Sequence, residues 1–308
     1  MPIKYPSARA GLEGALSDTP PLPEKPDAAA DRLSGLDRLE LGGRNGKGSL
    51  GPRVWRSAWP KLMAIALVLL VWQIVVWAEW KPVYVLPGPL DVFEELGGLL
   101  RTGDFWSGVA VTMTRAATGF ALAVVIGTVI GAAVSSFPPL RAAIGSLITG
   151  LQTMPSIMWF PLAILLFQLS ESAILFVVVL GAAPSVANGL ISGIDYVPRT
   201  WLRVGQVLGM KGLAKYRHLI LPASLPSFIS GLKQGWAFSW RSLMAGELLV
   251  IVPGALSIGV RMQNARDLSE PTLVISFIIV VLVIGILIDV LFNAADNALR
   301  KRWGLTGS

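Results

Sequence analysis

Residues 197–222 read VPRTWLRVGQVLGMKGLAKYRHLILP, the longest polar interval between two strongly apolar regions of the chain. The stretch carries Arg199, Arg203, Lys211, Lys215, Arg217 and the single histidine, His218, with only Asp195 nearby to offset them. Its pattern predicts two short helices with Gly209 between them, closed by Leu221-Pro222. A compact, basic helix–glycine–helix set between two membrane spans is built to face the cytoplasm and to touch something there.

Composition agrees with a membrane setting for this loop. The chain has 308 residues, 53% of them hydrophobic, and a mean hydropathy of +0.63. Several apolar runs approach the roughly 20 residues that a helix needs to cross a bilayer. A soluble domain is therefore excluded. The net charge of +7 reads as basic cytoplasmic loops rather than as a nucleic-acid surface. There is no cysteine, so disulfide and thiol chemistry are excluded and redox usage says nothing of compartment.

Outward from the loop, the chain reads as all-α, with six spans and one consistent orientation. Residues 1–57 are rich in Pro, Gly, Ala and charge of both signs, and are expected to form a disordered cytoplasmic tail. Gly46-Lys47 within it is not a phosphate loop, because Leu41 and Gly48 stand where that motif needs Gly and Ser/Thr. The first apolar run lies too far into the chain for a secretory leader. Span one is expected over Trp59–Trp77, with Arg53, Arg56 and Lys61 placing its start inside. Five acids between Glu79 and Gly108, against Lys81 and Arg101, mark an outside segment.

Span two is expected over Val109–Ser135, where Gly127 and Gly131 allow close helix approach and Arg115 snorkels near the outer end. Span three covers Ala143–Leu169 and is expected to break twice, at Pro155 and Pro161. Span four covers Ser172–Ile194, interrupted at Pro184. Span five, Leu225–Ile251, carries Lys233, Arg241 and Glu247. Span six, Thr272–Ala294, returns to an inside tail with Arg300, Lys301 and Arg302, which puts both termini in the cytoplasm.

Ionisable residues inside a span are expensive and mark either a solute path or a packing contact. Arg241 lies past the middle of span five, where a planar guanidinium suits an oxyanion. Its other reading is an ion pair with Glu247 or Asp289 that fixes packing. Ser239 is placed to line the same path, and Met154 and Pro155, with Trp159, mark a possible gate at the break in span three. Trp236 and Trp240, four apart, share a face that suits packing against another span. One histidine and no cysteine leave no zinc cluster, and no nucleophile–base pair is legible. Neither a metal, a cofactor nor a catalytic residue is expected, and His218 reads as a solvated side chain.

The loop resembles the Glu-Ala-Ala loop of ATP-binding-cassette importer permeases. Gly209, nine intervening residues, then Leu219, Ile220, Leu221 and Pro222 fit that pattern. Val204-Gly205 stand for its two alanines, and Arg203 replaces its acidic residue. Leu86-Pro87-Gly88-Pro89 with Val92, and Thr112, Arg115, Gly119, Gly127 and Gly131, resemble the nitrate, sulfonate, taurine and bicarbonate group. The resemblance covers residues 58–305 and implies a six-span type I importer permease, with residues 195–224 as the loop that docks on an ATPase subunit. It further implies two permease copies in the membrane lipid, two ATPase subunits, and an extracytoplasmic solute-binding protein. Aliphatic sulfonate is the expected solute, with nitrate next and taurine or bicarbonate behind. An ion-coupled transporter, the rival class, needs inverted repeats or midplane carboxylates, and no repeat is seen. A membrane enzyme needs a catalytic cluster, which the sequence lacks.

Overall fold

The computed structural model describes residues 50–302, and among these every regular element is helical. The expected tail lies outside the described residues except for 50–57, which form the first turns of α1 rather than irregular chain. Helix α1 (Leu50–Trp77) runs through Pro60, and its apolar part, Trp59–Trp77, is long enough to cross a membrane. The chain divides into two compact units between Val68 and Leu69. Within the second, α2 (Pro89–Leu99) follows the Leu86-Pro87-Gly88 turn. Pro89 opens that helix, where no amide donor is needed, and Asp91 accepts a hydrogen bond from the Gly88 amide at 3.2 Å.

Three long helices build the centre. They are α3 (Gly103–Ser136), α6 (Glu171–Asp195) and α9 (Leu221–Leu249). Small residues set their spacing. A Cβ added to Gly127 would lie 2.6 Å from the Ala183 carbonyl oxygen, and one on Gly131 2.9 Å from that of Ala187. The Gly119–Val178 contact completes a seam in which α3 and α6 run parallel. Gly189 meets Gly231, and Gly193 meets Ser224, along an antiparallel seam of α6 with α9. Such small-residue seams let helix backbones approach where no hydrophobic effect drives association. Pro184 does not interrupt α6, which stays helical for 25 residues and is the most enclosed of the spans.

Span three breaks once, where two breaks were expected. Helix α4 (Pro138–Thr153) starts beside the far end of α6, where Arg141 pairs with Asp195. The chain then breaks at Met154-Pro155, passes a 3₁₀ turn at Ser156–Trp159, and continues as α5 (Phe160–Phe167). The two helical halves are bent by 104°. Because α4 begins beside the end of α6 and α5 leads into its start, the pair makes one broken crossing. Only Pro155 breaks it. Pro161 occupies the first turn of α5, where a proline removes no helical hydrogen bond, so the second expected break is absent.

Beyond α9, α10 (Ile258–Asp267) is capped by Ser257, whose hydroxyl accepts from the Val260 amide at 3.4 Å. Helix α11 (Pro271–Arg302) closes the chain, antiparallel to α9. Trp236 stacks on Trp240 with ring centroids 6.2 Å apart. Trp236 also meets Phe120 of α3 edge-on at 5.2 Å and packs on Phe292 of α11. The two tryptophans are core residues, as their shared face suggested.

Candidate functional site

The loop between α6 and α9 holds two short helices with the expected glycine turn between them. Helix α7 (Arg199–Val207) ends in a Schellman motif: Met210 donates to the Gly205 carbonyl at 2.8 Å and Gly209 donates to that of Gln206 at 3.0 Å. Gly209 has φ +72°, the left-handed region that disfavours a side chain. Gly205 is buried, and a Cβ there would approach Leu219 to 2.9 Å. Leu219 therefore packs where the family pattern's second alanine stands. Helix α8 (Gly212–Lys215) and a π turn over Tyr216–Ile220 follow. Leu221-Pro222 does not close the loop. Pro222 lies in the first turn of α9, so the loop passes into the membrane helix without a break.

The outward face of this loop is apolar as well as basic. Trp201, Val204, Val207 and Leu208 are all at least half exposed, Val207 at 88%. Arg203 is exposed too. The one nearby acid does not compensate the loop, because both oxygens of Asp195 are held by the Arg141 guanidinium, one at 2.8 Å. The loop therefore exposes hydrophobic side chains together with cations.

A second feature lies between α9 and α11. A cavity of about 560 Å³ is bordered by Lys233, Gln234, Trp240, Arg241, Asp289 and Asn293. Lys233 is engaged there, 3.1 Å from Asp289 and 2.7 Å from the Asn293 oxygen. Arg241 is exposed, lies over the Phe238 ring at 4.7 Å, and donates to the Ala237 carbonyl at 3.1 Å. Among the described residues it pairs with neither Glu247 nor Asp289, so the packing reading of Arg241 is not realised. Ser239, two residues away, is fully buried and does not border the cavity. Met154 and Pro155 are exposed at the bend between α4 and α5, away from Arg241's cavity.

Glu247 belongs to a third feature, at the opposite end of the bundle from the loop. Its carboxylate is fully buried and accepts from Arg115 Nη1 at 3.0 Å, Thr112 Oγ1 at 2.9 Å and the Gly259 amide at 3.0 Å. Thr112 in turn accepts from the Ile258 amide at 3.0 Å. The other side of Arg115 grips Glu171, with Nε donating to Oε2 at 2.8 Å and Nη2 to Oε1. One arginine thus ties α3, α6 and α9 together, and the Glu247 and Thr112 bonds bring in α10. Arg115 does not snorkel; it is 5% exposed. A signal was present in the sequence. Thr112, Gly119, Gly127 and Gly131 form a small-residue stripe, and Arg115 lies on that packed side of the helix rather than on the lipid side. Because Glu247 is spent on this network, it is not a free midplane carboxylate of the kind an ion-coupled carrier uses.

A family model described as a binding-protein-dependent transport system inner membrane component matches residues 102–301. The nitrate import permease protein NrtB of Synechocystis is 29% identical over 247 residues, 77% of this chain and 86% of the relative. A bicarbonate transport system permease protein, CmpB of Synechococcus elongatus, is 29% identical over 266 residues, 80% of this chain and 92% of the relative. A probable ABC transporter permease protein of Brucella melitensis is 31% identical over 218 residues, 70% and 87% of the two chains. Among solved structures, an inward-facing form of the MetNI methionine ABC transporter superposes with a TM-score of 0.54 at 15% identity. That match covers 62% of this chain and 94% of the other. It speaks for the fold alone.

Proposed function

This chain belongs to the family of binding-protein-dependent transport inner membrane components, and we propose that it forms the path for a small planar oxyanion in an ATP-driven importer. As a permease of that family it works with ATPase and solute-binding subunits, and ATP is hydrolysed on a separate chain. Nitrate and bicarbonate come first as solutes, because relatives named for them match over more than three quarters of this chain. Aliphatic sulfonate, expected from the sequence, stands behind them, with taurine.

The permease domain is taken as 58–305, with both termini in the cytoplasm and two copies lining one path. The loop of residues 195–224 meets the ATPase subunits, through its exposed apolar face and the glycine turn at Gly209. Closure of the ATPases favours one permease state over the other through differential contacts at that loop. Arg241 is the residue placed to attract the anion. The observation that supports this role is an exposed guanidinium beside a cavity with no carboxylate paired to it among the described residues.

The test is labelled uptake by a deletion strain carrying this chain or an empty vector, with nitrate, bicarbonate, an alkanesulfonate and taurine in parallel. Restored uptake of nitrate or bicarbonate alone supports the reading. Restored uptake of sulfonate or taurine alone replaces the solute and keeps the importer. Uptake that persists without the ATPase partner overturns the importer mechanism.

A further inference from the structure

The Arg115–Glu171 pair combines a fixed and a releasable half. Glu247 holds Nη1 of Arg115 from a fully buried position, with Thr112 and the Gly259 amide occupying its second oxygen. Glu171 is different. Its side chain is 46% exposed, it sits in the first turn of α6, and Arg115 is its hydrogen-bond partner among the described residues. The pair also borders a cavity of about 510 Å³, shared with Thr114, Thr118, Leu175 and Ala255.

The geometry of the releasable half is specific. The Nε and Nη2 edge of a guanidinium is a planar fork that takes two oxygens of one flat anion. Here it takes the two oxygens of a carboxylate, which is trigonal and planar around carbon. Nitrate and bicarbonate are trigonal and planar in the same way. We propose that the Glu171 carboxylate is a tethered stand-in for the transported oxyanion, and that Arg115 is an oxyanion subsite from which Glu171 is displaced. The proposal rests on the oxyanion reading above for its ligand class.

The charges agree with exchange and not with simple addition. Arg115 carries one positive charge against two carboxylates, so a free anion added beside the intact pair meets net negative charge. When Glu171 swings into the cavity, two N–H donors of the fork are left unpaired beside a neutral Arg115–Glu247 pair, which keeps the arginine in place. An anion then binds without moving the buried side of the network. A tethered competitor lowers apparent affinity in proportion to the time it occupies the fork, so removing its charge raises affinity. Weak, exchangeable binding suits a transport path, where a solute must leave as readily as it enters.

The test uses the purified full transporter, as wild type and as Glu171→Gln. Thermal unfolding is followed during titration with sodium nitrate, sodium bicarbonate and, at matched ionic strength, sodium chloride. The variant is expected to reach half its nitrate- or bicarbonate-induced rise in Tm at about a tenfold lower concentration than wild type. Chloride, a single centre that cannot set one oxygen against each N–H as a flat oxyanion does, is expected to differ less between the two. Superimposable oxyanion curves overturn the proposal, as does an equal gain with chloride. Should Glu171→Gln not assemble, Glu171→Asp is measured instead, since its shorter tether weakens the competitor while keeping its charge. It is expected to give a smaller shift in the same direction, and identical curves again overturn the subsite. Uptake of an oxyanion with unchanged titrations removes only the subsite. A gain in titration with no oxyanion uptake removes only the proposed solute.

Discussion

Arg115 Nη1 lies 3.0 Å from Glu247 Oε1, joining residues 132 positions apart on α3 and α9 at the end of the bundle remote from the loop. Both groups are withdrawn from solvent, and Glu247 has Arg115 as its cation among the described residues, whereas Arg115 also holds Glu171. Removing one partner of such a pair leaves a buried charge and costs about 3–5 kcal/mol, whereas replacing both by apolar residues is far milder. Arg115→Met, which strands the fully buried Glu247 carboxylate, is therefore expected to lower the melting temperature of the purified transporter sharply. Arg115→Met with Glu247→Met should recover much of the loss. A double variant as unstable as the single one would show that the surrounding donors, Thr112 and Gly259, govern the site instead.

The glycine seam makes a second, independent prediction. A Cβ on Gly189 would meet the Gly231 Cα at 2.6 Å, backbone against backbone, with no flexible side chain to yield. Overpacking of this kind costs about 1–3 kcal/mol for each well-packed site, and a larger side chain costs more. Gly189→Leu should remove folded protein from the membrane fraction, as seen by size-exclusion profiles in detergent. Gly97→Ala, where nothing lies within 4 Å, should leave the profile intact and slightly raise the melting temperature.

For the loop, Gly209→Val forces a β-branched residue to a φ of +72°. The left-handed region costs an ordinary residue about 1–2 kcal/mol and a β-branched one more. The strain falls on the Schellman turn and not on the membrane helices. Membrane insertion should persist while co-purification of the ATPase is lost. Normal co-purification would remove Gly209 from the docking role.

Arg241→Gln separates attraction of solute from packing. Arg241 is exposed and among the described residues makes no ion pair, so assembly and melting temperature should match wild type. Initial uptake of the anion should fall severalfold, chiefly through a raised half-saturation concentration. Loss of assembly with unchanged uptake per assembled transporter would assign the residue to packing.

Much of this architecture was legible because the signals were local. The turn at Gly209, the short helices of the basic loop and the packing of the paired tryptophans are each written within a few residues. So are the long apolar helices and their small-residue stripe. What was hidden depends on residues far apart in the chain. No periodicity joins Arg115 to Glu171 and Glu247, and a single arginine near a helix end is more simply read as reaching for water. Asp195 was equally obscure. It looked like a counter-charge for the loop, and it is committed to Arg141 at the adjacent start of α4. Proline was the other source of error. Pro155 breaks its helix, whereas Pro161 and Pro222 fall in first turns and Pro184 lies within an unbroken helix, so their different effects depend on where each helix begins.

Helix α6 is gripped by an arginine fork at each tip, Arg115 on Glu171 and Arg141 on Asp195, and along its length by backbone-close seams on two sides. Its 25 residues span about 37 Å as one unbroken helix. It behaves as a lever with both ends in hand. The position beside Asp195, where the loop begins, is joined to Glu171 by continuous helix. Travel at one tip is set by slack at the other.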